Sequence, residues 1–471
     1  MNGSLIDNLT ELINSLYEFL YQPFALPVIL VAIGAWLTYR TGFVQIRHFG
    51  LAVKTVFMGI FKREKHGTGT ITPFQALSTA LASTVGNGNI GGVATAILVG
   101  GPGAIFWMWV CAAVGMATKY AEVVLGVHFR VTTERGELAS GPMYYISQGL
   151  GWKRPAKYLA YMFCIFGAAT ALFGTGNMAQ SNTIARTSVE AASTIFNVDI
   201  PYWLPGIVVT IAVGMVLIGG IKRIAHVAEA LVPTMLSVYL ITGLSYVVIN
   251  FGQIPEIFLM IFKHAFSPSA AVGGFAGAGV SVAIAAGISR GVLSNEAGMG
   301  SAPIAHGIAQ VDHPVQQGVV GIFEVFVDTI LVCSMTAFII LSSGMWTDIA
   351  YQEASGDLTS AALSTSIPFA SIVVALSSFL FGFSTLIGWC YYGEKCFEFL
   401  FGSKSVVPYR YLFVSLIMVG SVASVPLVFA LGTLLNGLMA LPNLVALLFM
   451  GGIVARLTRD YFQKTGKKSK A

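Results

Sequence analysis

Charge is what this chain lacks. Only 10% of its 471 residues are Asp, Glu, Lys or Arg, against about 25% in soluble domains. Hydrophobic residues make up 55%, and the mean hydropathy is +0.77. A water-soluble core is excluded by that balance. Cysteine is sparse too. Cys111, Cys164, Cys333, Cys390 and Cys396 lie in or beside apolar stretches without metal-ligand spacing, and read as small buried hydrophobes. No helical HExxH, GxSxG or His/Cys zinc cluster occurs, and His226, His264, His306 and His313 are scattered through expected loops or loop edges. Without a nucleophile–base constellation, no enzyme is expected. Gly67-Thr68-Gly69-Thr70 and the glycine run at 86–92 follow no strand of a βαβ unit and have no Walker lysine, which excludes a nucleotide loop. Met1-Asn2-Gly3-Ser4 puts no basic n-region before the first apolar segment, so no cleaved signal peptide is expected.

Long apolar runs fill the chain instead. Eleven candidate membrane spans fall at about 22–39, 73–99, 103–127, 157–186, 203–220, 229–250, 270–292, 316–343, 365–388, 410–430 and 438–456. A crossing needs about 20 such residues. The run 203–220 is short, with Pro205 near its start, but Lys222-Arg223 closes it clearly. Ile6 to Leu20 alternate at helical spacing and suit a short interfacial helix. The expected fold class is an all-α membrane protein with 11 transmembrane helices. Its 52 glycines show no Gly-X-Y period and suit close helix contacts and unwound turns.

Basic residues orient these spans. With the N-terminus outside, 40–72, 128–156, 221–228, 293–315, 389–409 and the C-terminal tail become cytoplasmic. All 26 Lys and Arg residues except Arg186 and Lys263 then lie in or beside cytoplasmic segments. Such a bias follows the positive-inside rule. It also removes any reason to expect a nucleic-acid partner. The external segment 344–364 holds Asp348, Glu353 and Asp357 and no Lys or Arg. Localisation is expected in the cell membrane, multi-pass, with the C-terminus cytoplasmic.

Two spans are interrupted where a membrane helix should be continuous. One break is Thr84-Val85-Gly86-Asn87-Gly88-Asn89-Ile90-Gly91-Gly92, the other Gly273-Gly274-Phe275-Ala276-Gly277-Ala278-Gly279. Unwound backbone survives at membrane depth only where protein shields it or it lines a cavity. Paired breaks in two halves are the sequence signature of a secondary transporter's binding site. Setting aside the first span leaves two sets of five, each opening on a broken span. Because five is odd, the sets enter from opposite faces, a 5+5 inverted repeat. The expected domains are an extracellular segment 1–21, an accessory helix 22–39, repeat one at 73–250, an external segment 251–269, repeat two at 270–456 and a basic cytoplasmic tail 457–471. Function as a monomer within the lipid bilayer is expected.

The breaks expose the chemistry of helix ends. Free carbonyls suit a hard monovalent cation and helix N-termini suit a carboxylate. Thr84 and the carbonyls of Val85 and its neighbours before Gly86 are candidate cation oxygens. The N–H groups from Asn89 to Gly92, Gly91 among them, are candidate carboxylate donors, with the Asn87 side chain orienting the ligand. Gly277 and Gly279 would approach from the other side. In span 9, Ser377, Ser378, Ser384 and Thr385 either complete an oxygen cage, for which Ser384-Thr385 is preferred, or back-bond to their own helix. Span 4 carries Thr175, Asn177, Gln180, Ser181 and Asn182, of which Asn177 and Gln180 are candidate pocket donors, with helix–helix hydrogen bonding as the other reading. Glu324 and Asp328 lie one turn apart in span 8. Each needs a partner, a proton or water there, so a coupling or gating role competes with a network role. Lys119 and Glu122 read as interfacial pairing near the inner end of span 3.

At Ser83–Gly92 and Gly101-Pro102-Gly103-Ala104-Ile105-Phe106-Trp107-Met108-Trp109 the chain resembles the alanine or glycine:sodium symporter family. Gly141-Pro142-Met143-Tyr144-Tyr145, Arg290–Gly298 and Ser301-Ala302-Pro303-Ile304-Ala305 carry the same likeness, which runs from about residue 70 to 455. The resemblance implies Na+ as co-transported ion and uptake of small neutral amino acids, chiefly alanine and glycine, sometimes D-enantiomers or serine. It also implies the leucine-transporter type of fold in the amino acid–polyamine–organocation superfamily. The family's ion site would map onto 84–87 and Ser384-Thr385, its substrate pocket onto 86–92, span 4 and the second break. Crowding by Phe275 or Phe381 would select short side chains, and alternating access would move the ligands. The rivals are a proton-coupled transporter using Asp328 or Glu324, and a channel.

Overall fold

The structure is a computed structural model that describes residues 11–13, 15–16, 19–20, 25–61, 67–134, 136–267, 279–348, 355–423 and 425–468. Seven helical stretches among them are long and apolar enough to cross a membrane: Gly103–His128, Lys153–Thr194, Gly220–Ile249, Pro314–Ser343, Ala370–Phe401, Ser403–Val422 and Val428–Lys464. Four shorter apolar helices accompany them. The described sheet is one small antiparallel hairpin, Val131–Thr132 with Leu138–Ala139.

In chain order the helices used below are α1 (Leu26–Arg40), α2 (Phe49–Phe61), α3 (Pro73–Thr84), α4 (Gly91–Gly100), α5 (Gly103–His128), α6 (Lys153–Phe173), α7 (Met178–Phe196), α8 (Trp203–Leu217), α9 (Gly220–Ile249), α10 (Ile254–Phe266), α11 (Val280–Asn295), α12 (Pro314–Val325), α13 (Ser334–Ser343), α14 (Ser355–Ser364), α15 (Ala370–Phe401), α16 (Val406–Val422) and α17 (Val425–Lys468). Two of them act as pillars. Helix α5 packs against α1, α10, α11 and α12, and α15 against α3, α6, α7 and α9. In α5, 83% of the most hydropathic stretch is buried; in α9 only 28% is. Ile241, Leu244 and Val248 on α9 are more than half exposed. A wide apolar face turned outward on a helix this long is what lipid, not water, would cover.

Several connections differ from the simple picture of continuous rods. The stretch 157–186 is two helices, because α6 ends at Phe173 and α7 begins at Met178. Gly174 and Gly176 weaken the helix between them, and a Cβ at Gly176 would stand 2.8 Å from the Trp389 ring. The backbone must come that close for α15 to pack there. Between α12 and α13 the helix widens into a π-helical stretch, Phe326–Cys333, which carries Asp328. The stretch 410–430 divides as well, since α16 ends at Val422 and α17 starts at Val425. Helix α2 lies in the segment expected as a plain cytoplasmic connection. It packs on α12 and leaves Phe57, Met58 and Ile60 exposed.

The first break has a firm start. Thr72 caps α3 through its side chain, which accepts from the Gln75 N–H at 3.1 Å, while the Gln75 side chain accepts from the Thr72 N–H. Pro73 at the first helical position completes the signal. Helix α3 stops at Thr84, a 3-10 turn runs Asn87–Asn89, and α4 restarts at Gly91.

Candidate functional site

The break presents both closed and open backbone. The Asn89 N–H donates to the Gly86 carbonyl at 3.0 Å and the Ile90 N–H to Asn87 at 3.2 Å. Those two N–H groups are therefore committed inside the turn. The first N–H groups of α4, on Gly91 and Gly92, have no intrahelical partner by construction. Gly88 is exposed and Gly91 and Gly92 half-buried, and a Cβ built on Gly88 or Gly92 meets no atom within 4 Å. There is room for a ligand beside those glycines. At Gly86 there is none: a Cβ would lie 2.7 Å from the Thr385 hydroxyl.

Thr385 thus sits directly against the broken backbone. Its hydroxyl donates to the Phe381 carbonyl at 2.8 Å, as Ser384 does at 2.9 Å. The back-bonding alternative is real, yet it spends only the hydrogen. The oxygen lone pairs remain, and on Thr385 they lie beside Gly86. Thr84 behaves alike, its hydroxyl placed 2.6 Å from the Ala80 carbonyl and 3.0 Å from Glu324 Oε1.

Asn87 is held from two helices. Its Nδ2 donates to Gln180 Oε1 on α7 at 3.1 Å, and its Oδ1 accepts from Ser378 on α15 at 2.8 Å. Gln180 in turn donates to the Thr175 carbonyl at 3.1 Å, in the turn that interrupts span 4. Asn177 is not part of this group: its Nδ2 donates to the Phe413 carbonyl on α16 at 2.8 Å. Asn89 closes the break from inside, its Oδ1 accepting from the Gly86 N–H at 2.9 Å and its Nδ2 donating to Asp328 Oδ1 at 2.7 Å. Asp328 also accepts from Ser294 and Thr329, each at 2.8 Å. Every one of these donors is neutral, so the fully buried Asp328 carboxyl beside the break has no cation in hydrogen-bond contact among these partners and feels Lys119 only through its field.

Glu324 is different. Lys119 Nζ donates to its Oε1 at 3.0 Å and His306 Nε2 bonds its Oε2 at 2.9 Å, with Lys119, Glu324 and His306 all fully buried. Lys119 therefore pairs deep inside with Glu324, not with Glu122 at an interface. Glu122 accepts from the Gly298 and Gly300 N–H groups and from Asn443 on α17. These pairings join residues far apart in the chain, and no local spacing announces them. Glu296 and His306 were likewise without an expected role. Of the second break, Phe275 and Gly277 lie outside the described residues. Gly279 is the N-cap of α11, which packs along α4 and touches the 87–89 turn.

The pattern of the sodium:alanine symporter family matches residues 6–471. The sodium/alanine symporter AgcS of Methanococcus maripaludis is 43% identical over 452 residues, covering 96% of this chain and 97% of that protein. The chain belongs to the sodium:alanine symporter family. An uncharacterised transporter of Haemophilus influenzae is 42% identical, covering 93% of each chain. Among solved structures, the manganese transporter of Eremococcus coleocola, in complex with an aromatic bis-isothiourea substituted compound, superposes with a TM-score of 0.52. It is 14% identical and covers 81% of this chain and 83% of its own, a likeness of fold. As a sodium:alanine symporter family member the chain is a membrane transporter and not an enzyme, and its work is sodium symport and amino-acid transport.

Proposed function

We propose that this family member imports small neutral amino acids, alanine and glycine first, with D-alanine or serine as further substrates, driven by Na+ and moved by alternating access. The observation that carries the reading is the contact of the Thr385 hydroxyl with the bare Gly86 backbone. In the proposed site, Na+ takes oxygens from Thr84, Val85, Gly86, Ser384 and Thr385. Asp328 supplies a nearby negative potential that favours a cation at the break. The zwitterion's carboxylate goes to the N–H groups of Gly91 and Gly92 beside the open space at Gly88. Asn87, Asn89 and Gln180 hold the break in shape around it. Asn177 has no place in this proposal.

The fold that serves this mechanism is the leucine-transporter type: eleven crossings, with α1 as accessory helix and two inverted sets of five. In that arrangement Phe275, Gly277 and Gly279 would bring the second break to the substrate, the N-terminus lies outside, the C-terminus is cytoplasmic, and one chain suffices. An inward-negative voltage adds about 2.3 kcal/mol per charge for each 100 mV or so. Sodium entry can then lift an amino acid uphill with no chemical step.

The test is uptake into proteoliposomes of labelled L-alanine, D-alanine, glycine and leucine, with external Na+ replaced in turn by K+ or choline. Alanine and glycine should accumulate only with a Na+ gradient. Equal uptake in choline would end the sodium-coupled reading, and leucine taken up as well as alanine would end the small-substrate reading.

A further inference from the structure

Around Lys119 the structure buries more negative charge than positive. Glu122, Glu324 and Glu296 all lie within electrostatic reach of its ammonium, and none of the four residues is more than 4% exposed. His306 adds no charge. Gln317 Nε2 lies 3.3 Å from the Pro73 carbonyl and 2.7 Å from His306 Nδ1. An amide nitrogen only donates, so Nδ1 is the acceptor and Nε2 carries the single ring hydrogen toward Glu324. Three carboxylates therefore share one lysine, and the fully buried Asp328 lies within its field as well. Burying an uncompensated charge is costly enough that such groups neutralise instead.

The three carboxylates are not equivalent. Glu324 takes an ammonium and an imidazole N–H, a donor set suited to an anion, and competes with the Ala80 carbonyl for the single Thr84 hydroxyl hydrogen. Glu122 takes three N–H donors on Oε1, while its Oε2, fully buried, has no partner. Glu296 has one contact on each oxygen: Trp389 Nε1–H at 2.9 Å on Oε1, and the Ser301 hydroxyl on Oε2. A serine hydroxyl both donates and accepts, so Glu296 can be protonated without losing either contact. Its backbone is held at φ 56 just after α11, a left-handed conformation that is strained for any residue with a Cβ. That turn is what carries the carboxyl inward.

We propose that Glu296 is a proton-binding site, with Oε2 carrying the proton and donating to Ser301 while Oε1 accepts from Trp389. Lys119 of α5, Glu324 of α12 and Tyr392 of α15 are the ionisable groups that act on it, with Glu122 and His306 reaching it only through Lys119 and Glu324. Burial pushes the Glu296 carboxyl up to about 8, with Lys119 and the Ser301 bond pulling the other way. When the 296–301 connection opens to water, the O–H bond breaks and the proton passes to solvent. Ionisation then favours the hydrated arrangement, and pH on the face where this connection lies sets how readily the carrier opens there. Trp389 stands four residues from Thr385 on α15, which links this proton to the proposed sodium site.

Infrared titration of the purified full-length protein tests the assignment whatever the transported substrate. A protonated-carboxyl carbonyl band is expected at neutral pH, lost as pH rises through about 8 and absent in E296Q. S301A, which keeps Glu296, should shift the band, and it serves as the decisive variant if E296Q does not fold. No band at neutral pH, a band removed by E122Q but kept in E296Q, or a band unmoved by S301A overturns the proposal. In proteoliposomes, alanine exchange by the wild type should change several-fold with internal pH, while E296Q stays flat. An E296Q profile that tracks the wild type would remove the link to transport. Absence of Na+-dependent exchange in the wild type would instead count against the proposed function and leave the infrared result standing.

Discussion

Replacing Lys119 by Met should cost this protein more than any surface change, and the structure says how much. Lys119 and Glu324 are both fully buried, with Nζ 3.0 Å from Oε1. Removing one partner of such a pair strands a charge and costs about 3–5 kcal/mol. At about 1.4 kcal/mol per tenfold, that is a factor of roughly a hundred or more in the folded-to-unfolded ratio. K119M keeps the aliphatic stem, so the loss is electrostatic rather than a cavity. It leaves Glu324 with His306 and Thr84 as neutral donors, beside Glu122 and Glu296. E324Q should cost less, because the Glu122 carboxylate still lies within electrostatic reach of Lys119. In K119M/E324Q both charges vanish, and most of the stability should return, giving a coupling of about 2 kcal/mol or more. Thermal unfolding of the four proteins in one detergent, followed by loss of the monodisperse peak, reads the order. A K119M protein as stable as wild type, or a double variant no better than K119M, would refute the argument that this pair answers a buried charge.

Three further outcomes are expected. T385V keeps the volume and removes the hydroxyl beside Gly86, so the Na+ half-saturation for alanine uptake should rise about tenfold or more; an unchanged Na+ dependence would remove Thr385 from the ion site. G86A places a methyl 2.7 Å from the Thr385 oxygen, an overpacking that costs about 1–3 kcal/mol, and uptake should fall sharply even where expression is kept; normal uptake would count against close contact at the break. The third concerns pH and the C-terminal helix. His48 stacks on Phe462 at 3.6 Å between ring centroids and His313 on Tyr461 at 4.9 Å. Burial lowers both imidazole pKa values, with Arg47 adding to the effect at His48 and Lys464 at His313. The undocked state then binds protons more readily. The stacking contribution is complete above about 6.5 and is lost as pH falls through the lower docked values. A spin label at Gln463 should gain mobility on acidification, and H48F/H313F should flatten that response; a label equally mobile at all pH values would refute it.

The first break was legible because its signal is local. Gly86-Asn87-Gly88-Asn89 interrupts an apolar run, and the structure stops α3 at Thr84 and begins α4 at Gly91. The turn at Gly174–Asn177 used the same residue types, but a long apolar run on either side masked it. The π-helical stretch around Asp328 has no composition of its own. Among site residues, Asn87, Gln180 and Thr385 are brought to the break. Asn177, as polar as Gln180, faces α16. Polarity within a span marks a residue that needs a partner, without telling which neighbour supplies it.

Composition, apolar length and glycine placement, properties of the chain itself, determined a helical membrane protein broken at residues 84–92. Partnership was decided only by the fold. Lys119 meets Glu324 across 205 positions, and Asn89 meets Asp328 across 239. The physical reason is the cost of a buried charge or amide. Each must be answered by whatever packing brings within about 3 Å, and helices far apart in sequence supply it.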